Sequence, residues 1–543
     1  MRRALVPLVL AASVALVATG CSPADDGGDT AEPRDGGTLV YATGDAEPTC
    51  LDPHVGGNYP QALISTQYLE PLVGREPDGT ITPWLAEDWE VSEDGLTWDF
   101  TLKSDVSFTD GTPLDAEAVK INIEHLQDPE TASSTGYLAV SKVAEVEVVD
   151  DTHARFHLAE PDSALLESLS MQWTAIQSPA GIARGMEENC AAPIGTGPFL
   201  VDEWVPQQQI TLVRNDDYAT PGPEAQHEGP AYLDEIVWRF IPDAATRQAA
   251  LASGEVHVID NPLPADIVAA EGGDDVAHID APRPGSVNRI ELNAGQAPFD
   301  DVRVREAFIR AADPNPGIES LYLGTVTRSY SPLASTEPMA VSDESLFATD
   351  PEQANALLDE AGWTEKDDDG VRMKDGRRLT VRFPVSTNQS VAAEQSLFEQ
   401  IQANAAAVGF EVILTPVDLS VWYAALGANE YEAVSAPYTR VGAEVLRVLY
   451  HSDAITPAPS GYFANHAQLA DPELDALLDE ASATQDEDAR AALYAQAQQR
   501  ILESFTILPL YDQQNHFLTR GVTGVTTLGT VATPTFVDAR LAG

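Results

Sequence analysis

The sequence predicts an α/β protein of two modules, with a β-rich block ahead of the first strand–helix–strand unit. Three observations lead there. At 543 residues the chain is longer than one hydrophobic core organises, so two or three domains are expected. Strand, helix and strand follow one another twice, at residues 231–260 and 379–416. Before the first of these units, residues 79–158 are rich in apolar–polar alternation around Asp-Gly turns, the pattern of half-buried antiparallel strands.

Residues 37–42 (GTLVYA) read as the first strand. A Pro/Gly-rich loop follows at 47–60, and residues 61–72 have helical spacing that ends at Pro71 and Gly74. Residues 89–102 form a hairpin around Glu-Asp-Gly, 115–126 a helix that opens on Asp115, and 143–158 a second hairpin. The GTGPF turn at 195–199 leads into a hairpin on either side of Pro206, and the helix 244–253 closes at Gly254. In the second half, helices are expected at 298–313, 350–363 and 392–408, strands at 379–384 and 410–416, and two long helices over 471–504. The stretch 509–519 then returns towards the first lobe.

The expected organisation is a leader at 1–20 and a tether at 21–36. The first-lobe core takes 37–67, 196–287 and 507–543, the extra subdomain 68–195, and the second lobe 288–506. Two crossings, near 285–292 and 503–510, would leave a cleft between the lobes and act as its hinge.

Composition excludes some functions. With 86 acidic and 30 basic residues the formal charge is −56, which argues against nucleic acid or anionic lipid as partner. Neither GxSxG, SxxK nor HExxH is present, so a lipid-anchored hydrolase, the rival reading, lacks a local signature. The glycines of GTGPF are followed by Pro198 and β-formers instead of a helix, which disfavours a phosphate cradle.

Arg2 and Arg3 precede an apolar run too short to span a bilayer, which ends in Ala-Thr-Gly-Cys21 before a polar, Asp/Gly-rich segment. This resembles a bacterial lipoprotein signal, with cleavage before Cys21 and lipid on its thiol; Ala18 departs from the leucine favoured there. Two cysteines remain, Cys50 and Cys190. In an oxidising compartment they are expected to be bridged, the alternative being two buried thiols.

Residues 193–218 (PIGTGPFLVDEWVPQQQITLVRNDDY) resemble a segment of the family 5 extracytoplasmic solute-binding proteins, the peptide, nickel and opine receptors of ABC importers. The likeness extends to Thr82 through Trp84, Trp89, Asp94-Gly95 and Phe108 to Gly111, then to PFDDVRVREAF at 298–308 and DPEQANALLDEAGW at 350–363. It departs at His257, where the family usually has Asp, and at AADPNP (311–316) in place of the usual I-D-R continuation. The resemblance implies a two-lobe periplasmic-binding-protein fold (type II, large cluster C type), without catalysis or cofactor. It implies an extracytoplasmic monomer, anchored to the membrane by lipid on Cys21, that closes on a small peptide or another polar solute. The partners implied are an ABC permease and its ATPase subunits, with opine, sugar or nickel chelate as alternative ligands and signalling as an alternative use.

The ligand residues are less legible. Peptide-binding relatives place an Asp for the peptide ammonium near residues 431–450, but this chain has none there before Asp453. Arg440 is the candidate for a ligand carboxylate through a bidentate fork, against a salt bridge. Tyr438 and Trp422 are candidates for ring contacts, against plain packing. Asn58 and Tyr59 would line the opposing lobe, against a surface turn. Arg289 is a weaker candidate. His451, His466 and His516 are scattered and suggest no metal site, with nickel held through a lone histidine as the alternative.

Overall fold

The computed structural model describes residues 33–543 apart from 274, 388 and 436. The leader, Cys21 and most of the tether lie outside the described residues. The first lobe is organised on a seven-stranded mixed sheet. Its strand order is Ala277–Pro282, Gln514–Thr519, Val258–Asp260, Thr38–Thr43, Glu235–Phe240, Gln209–Arg214 and Phe199–Val205. Thr38–Thr43 runs parallel to both its neighbours, and the remaining pairs are antiparallel. Tyr41 and Trp238 stack at 3.8 Å between ring centres on its buried face.

The GTGPF turn owes its glycines to a close approach. A Cβ on Gly195 would lie 2.0 Å from the Tyr68 carbonyl oxygen, and one on Gly197 2.7 Å from the Tyr68 backbone. The Phe199 amide donates to the Gln67 carbonyl at 2.9 Å, closing the same contact. This explains why the helix expected over 61–72 is shorter, Tyr59–Ser65. The chain must leave helical geometry by Tyr68 to lay its backbone under the turn.

The β-rich block forms a four-stranded antiparallel sheet, in the order Ala86–Val91, Thr97–Leu102, His153–Leu158 and Val143–Asp150. The helix Ala116–Gln127 packs on it, capped by Asp115, whose carboxylate accepts from the Ala118 amide at 2.8 Å. A disulfide joins Cys50 to Cys190. Beside it, the Leu51 amide donates to the Cys190 carbonyl at 2.8 Å.

The second lobe has a three-stranded sheet, Ala433–Ser435, Asn288–Leu292 and Ile507–Tyr511, next to a parallel pair, Thr380–Ser386 and Glu411–Val417, bridged by the helix Ala392–Val408. One continuous core joins these strands to the long helices Pro472–Ala483 and Glu487–Glu503.

Ile507–Tyr511 therefore pairs in the second lobe, where the sequence reading assigned 507 onwards to the first. Its five residues are all buried, and an apolar run of this kind does not say which sheet buries it. The chain crosses between the two sheets at residues 283–287 and 512–513. These segments run side by side, and the Arg283 amide donates to the Gln513 carbonyl at 2.9 Å. Glu337 braces the crossing. One oxygen accepts from the amides of Gly285 (2.8 Å) and Gly442 (3.2 Å), and the other from buried Arg75 of the β-rich subdomain (2.9 Å).

Candidate functional site between the lobes

Two adjoining cavities, of about 610 and 490 Å³, fill the space between the lobes. Asp45, Tyr59, Arg283, Gln389 and Pro437 line both. Lobe 1 supplies the loop 55–59, which leads into the helix Tyr59–Ser65. The β-rich subdomain contributes Ser134, Thr135 and Trp173. The second lobe contributes the helix Leu419–Gly427, Tyr438 and the segment 460–463.

The larger cavity is aromatic. Trp422 is 2% exposed and meets Tyr423 edge to face at 5.1 Å, and Tyr423 meets Tyr462 at 6.0 Å in the same geometry. The buried Trp422 Nε1 has no hydrogen-bond partner among the described residues. The Tyr423 hydroxyl donates to Asn58 Oδ1 at 3.0 Å, tying the second lobe to the first across the cavity. Desolvation by burial, with the nearby Tyr438, pushes the Tyr423 hydroxyl up to about 12, so it remains a donor at neutral pH.

The candidates from sequence divide unequally. Asn58, Tyr59, Trp422 and Tyr438 all line the larger cavity. Arg440 does not. It is 3% exposed and its Nη2 donates to Ser168 Oγ at 2.9 Å, among Glu167 and Asp162 of the subdomain. The physical reason lies in its backbone, which packs against the crossing: a Cβ on Gly285 would lie 2.1 Å from the Arg440 carbonyl oxygen. That places Arg440 behind the hinge, where it offers no fork to a ligand.

Arg289 is fully buried and ion-paired with Glu291. His466 joins the same carboxylate at 3.0 Å, His451 lies 3.3 Å from Asp479, and His516 lies 3.0 Å from His278. Those three histidines do not converge. Asp52, His54 and His125 do come together, with donor atoms within 4.8 Å. Asp52 is already engaged there: it accepts from the His54 amide, His125 Nε2, Gln177 and Asn189 at 2.6–2.9 Å, as a buried hydrogen-bond hub.

The sequence reading missed the charged residues of the cleft. Arg283 stacks on the Tyr59 ring at 4.1 Å, and its Nε donates to Thr439 Oγ1 at 2.9 Å. Asp45 follows the carboxyl end of the first strand, a usual place for ligand contacts in α/β sheets, and that position was the available signal. Arg283 stands just before the crossing, where both cavities meet, a location that only the fold reveals.

This fold and cleft define a class, the two-lobe binding proteins that close around a solute. The family model described as bacterial extracellular solute-binding proteins, family 5, matches residues 80–458, and the chain belongs to that family. It is similar to the nickel-binding periplasmic protein of Escherichia coli K12, with 30% identity over 462 residues covering 83% of this chain and 84% of that one. It is also 28% identical to the glutathione-binding protein GsiB of Salmonella paratyphi A, covering 85% and 86% of the two chains. Among solved structures, NikA from Brucella suis in complex with Fe(III)-EDTA has a TM-score of 0.79 and 28% identity, over 93% of this chain and all of that one. DppA from Helicobacter pylori, in complex with peptide STSA, superposes with a TM-score of 0.81 at 23% identity, over 94% and 99%. The chain is thus an extracytoplasmic solute-binding protein of an ABC importer and not an enzyme.

Proposed function

We propose that this protein captures a small peptide or a similarly compact polar solute between its lobes and delivers it to the importer's permease, tethered by lipid on Cys21. One observation carries the reading: a cavity of about 610 Å³ walled by both lobes and the subdomain, in which aromatic faces alternate with polar and charged groups such as Asp45, Asn58, Arg283 and Gln389. Its volume suits a ligand of a few residues. Bonds such as Tyr423 to Asn58 close the cavity when the lobes approach. Peptide-, glutathione- and nickel-binding relatives support the range of ligands considered.

The experiment is mass spectrometry of whatever the purified mature protein releases on gentle denaturation, followed by a thermal-shift screen of peptides, opines, sugars and metal chelates. A bound ligand at ~100 times its dissociation constant stabilises by about 2.7 kcal/mol, which the screen resolves. A released peptide supports the reading, and a sugar or chelate moves the substrate class. For the anchor, Cys21→Ser should release the protein from membranes; retention would refute lipidation.

A further inference from the structure

Arg283 and Asp45 stand where the two cavities join, and each lines both. Both are half-buried, and neither has an ion-pair partner within 4 Å among the described residues. Arg283 is nonetheless held firmly. Its plane lies over Tyr59 at 4.1 Å, and Nε and Nη2 both donate to Thr439 Oγ1, which leaves Nη1 for the cavity. Asp45 accepts one bond, from Asn261 Nδ2 at 3.0 Å, and its second oxygen is left without a protein partner. Two opposite charges, half-buried at the cavity wall and without an ion-pair partner, are incomplete recognition elements, because a charge that a ligand would desolvate needs a partner from that ligand.

We propose that Arg283 and Asp45 form a paired-charge subsite that takes the carboxylate and the ammonium of one zwitterionic solute, an α-amino acid or short peptide with free ends. This rests on the reading of the cleft as the solute site. A guanidinium suits a carboxylate through its donor fork, and a carboxylate suits an ammonium. The aromatic cavity beyond Tyr59 would receive the side chain or remaining residues.

Occupancy has a protonic consequence. Asp45 faces Asp260 from the strand Val258–Asp260, Arg247 from the helix Ala244–Ser253, and Arg283 from the crossing. Tyr41 and Tyr59 are also within electrostatic reach. Burial and then Asp260 raise its carboxyl to about 7, against the lowering effects of Arg283, Asn261 and Arg247. A bound ammonium restores the charged form, so binding releases a proton to solvent below that pH. Affinity should therefore rise about fivefold from about pH 6 to about pH 7, a range in which the ligand's ammonium stays largely charged.

The test uses the full mature chain and a panel of α-amino acids and dipeptides, each beside its N-acetyl and C-amide forms, with a hexose and a nickel–EDTA chelate as solutes of other charge. Thermal shift finds binders, and calorimetry in two buffers of different ionisation enthalpy reads proton release. The expected result is that zwitterions bind and each blocked form loses at least tenfold. Asp45→Asn should abolish both the proton release and the pH dependence, and Arg283→Gln should erase the difference between free acid and amide. Blocked peptides that bind like their parents, or a hexose or chelate that binds while zwitterions do not, would overturn the subsite and leave solute capture standing. No binding by any solute would count against both.

Discussion

Removing the Cys50–Cys190 bridge should destabilise the protein far more than it distorts it. The bond closes a loop of 140 residues that contains the whole β-rich sheet. In the chain-entropy treatment a loop of 140 residues restricts the unfolded chain by about 17 cal/mol/K, or about 5 kcal/mol at room temperature. Measured losses usually run from about 2 to 5 kcal/mol, so that is the expected range for Cys50→Ser with Cys190→Ser. The folded geometry should survive, because the Leu51 amide still bonds the Cys190 carbonyl and Gln61 Nε2 still bonds the Cys50 carbonyl at 3.0 Å. Urea unfolding followed by tryptophan fluorescence suits the question, since Trp84, Trp98 and Trp173 are buried in the subdomain core. The midpoint should fall while the far-UV spectrum of the folded protein stays the same. A loss below about 1 kcal/mol would refute the entropic argument, and a changed folded spectrum would refute the claim that neighbouring bonds suffice.

Three other outcomes are expected. Arg440→Ala should lower the melting temperature while leaving ligand affinity within about twofold, because its partner is Ser168 and not the cavity; a large affinity loss by calorimetry would return Arg440 to the site. Glu337→Ala strands Arg75 in a site where it is 5% exposed, and should cost about 3–5 kcal/mol in denaturant unfolding; a loss near zero would show that water reaches that guanidinium. Glu167 and Glu224 are each raised to about 7, chiefly by desolvation. A carboxyl raised on folding contributes stability that is fully present below its unfolded value of about 4.5 and lost as pH rises through about 7. Melting temperature should therefore fall from about pH 5 to about pH 8, and Glu167→Gln should flatten the fall; an unchanged slope would remove Glu167 from the account.

Much of the fold was legible because local chemistry wrote it. Asp115, Asp243 and Asp350 each stand one residue before a helix and accept from its first turn, as their side chains dictate. Gly254 ends its helix in a left-handed conformation that glycine adopts freely. The hairpin around Pro206 follows from alternation alone. What sequence does not write is which surface an element meets. Ile507–Tyr511 has the composition of any buried strand, and its assignment depends on pairing with Asn288–Leu292.

The site shows the same division. For Trp422 and Tyr438 the sequence leaves ring contact and plain packing both open, and the structure shows each in both settings, on the cavity wall and within a hydrophobic core. Arg440 misled because a guanidinium suits a ligand and a buried structural role equally well. Arg283 was passed over because its significance comes only from standing where two distant segments cross.

The two crossing segments have a mechanical consequence. Lying side by side and joined by the bond from Arg283 to Gln513, they act as the leaves of one narrow strap and not as two independent strings. Such a strap bends readily out of its plane, but it resists shear and stretch, since either would break its bonds. Lobes that open about such a strap would be restricted to nearly a single degree of freedom. Asn58 and Tyr423, 365 positions apart in the chain, would then meet again after each opening without searching for alignment.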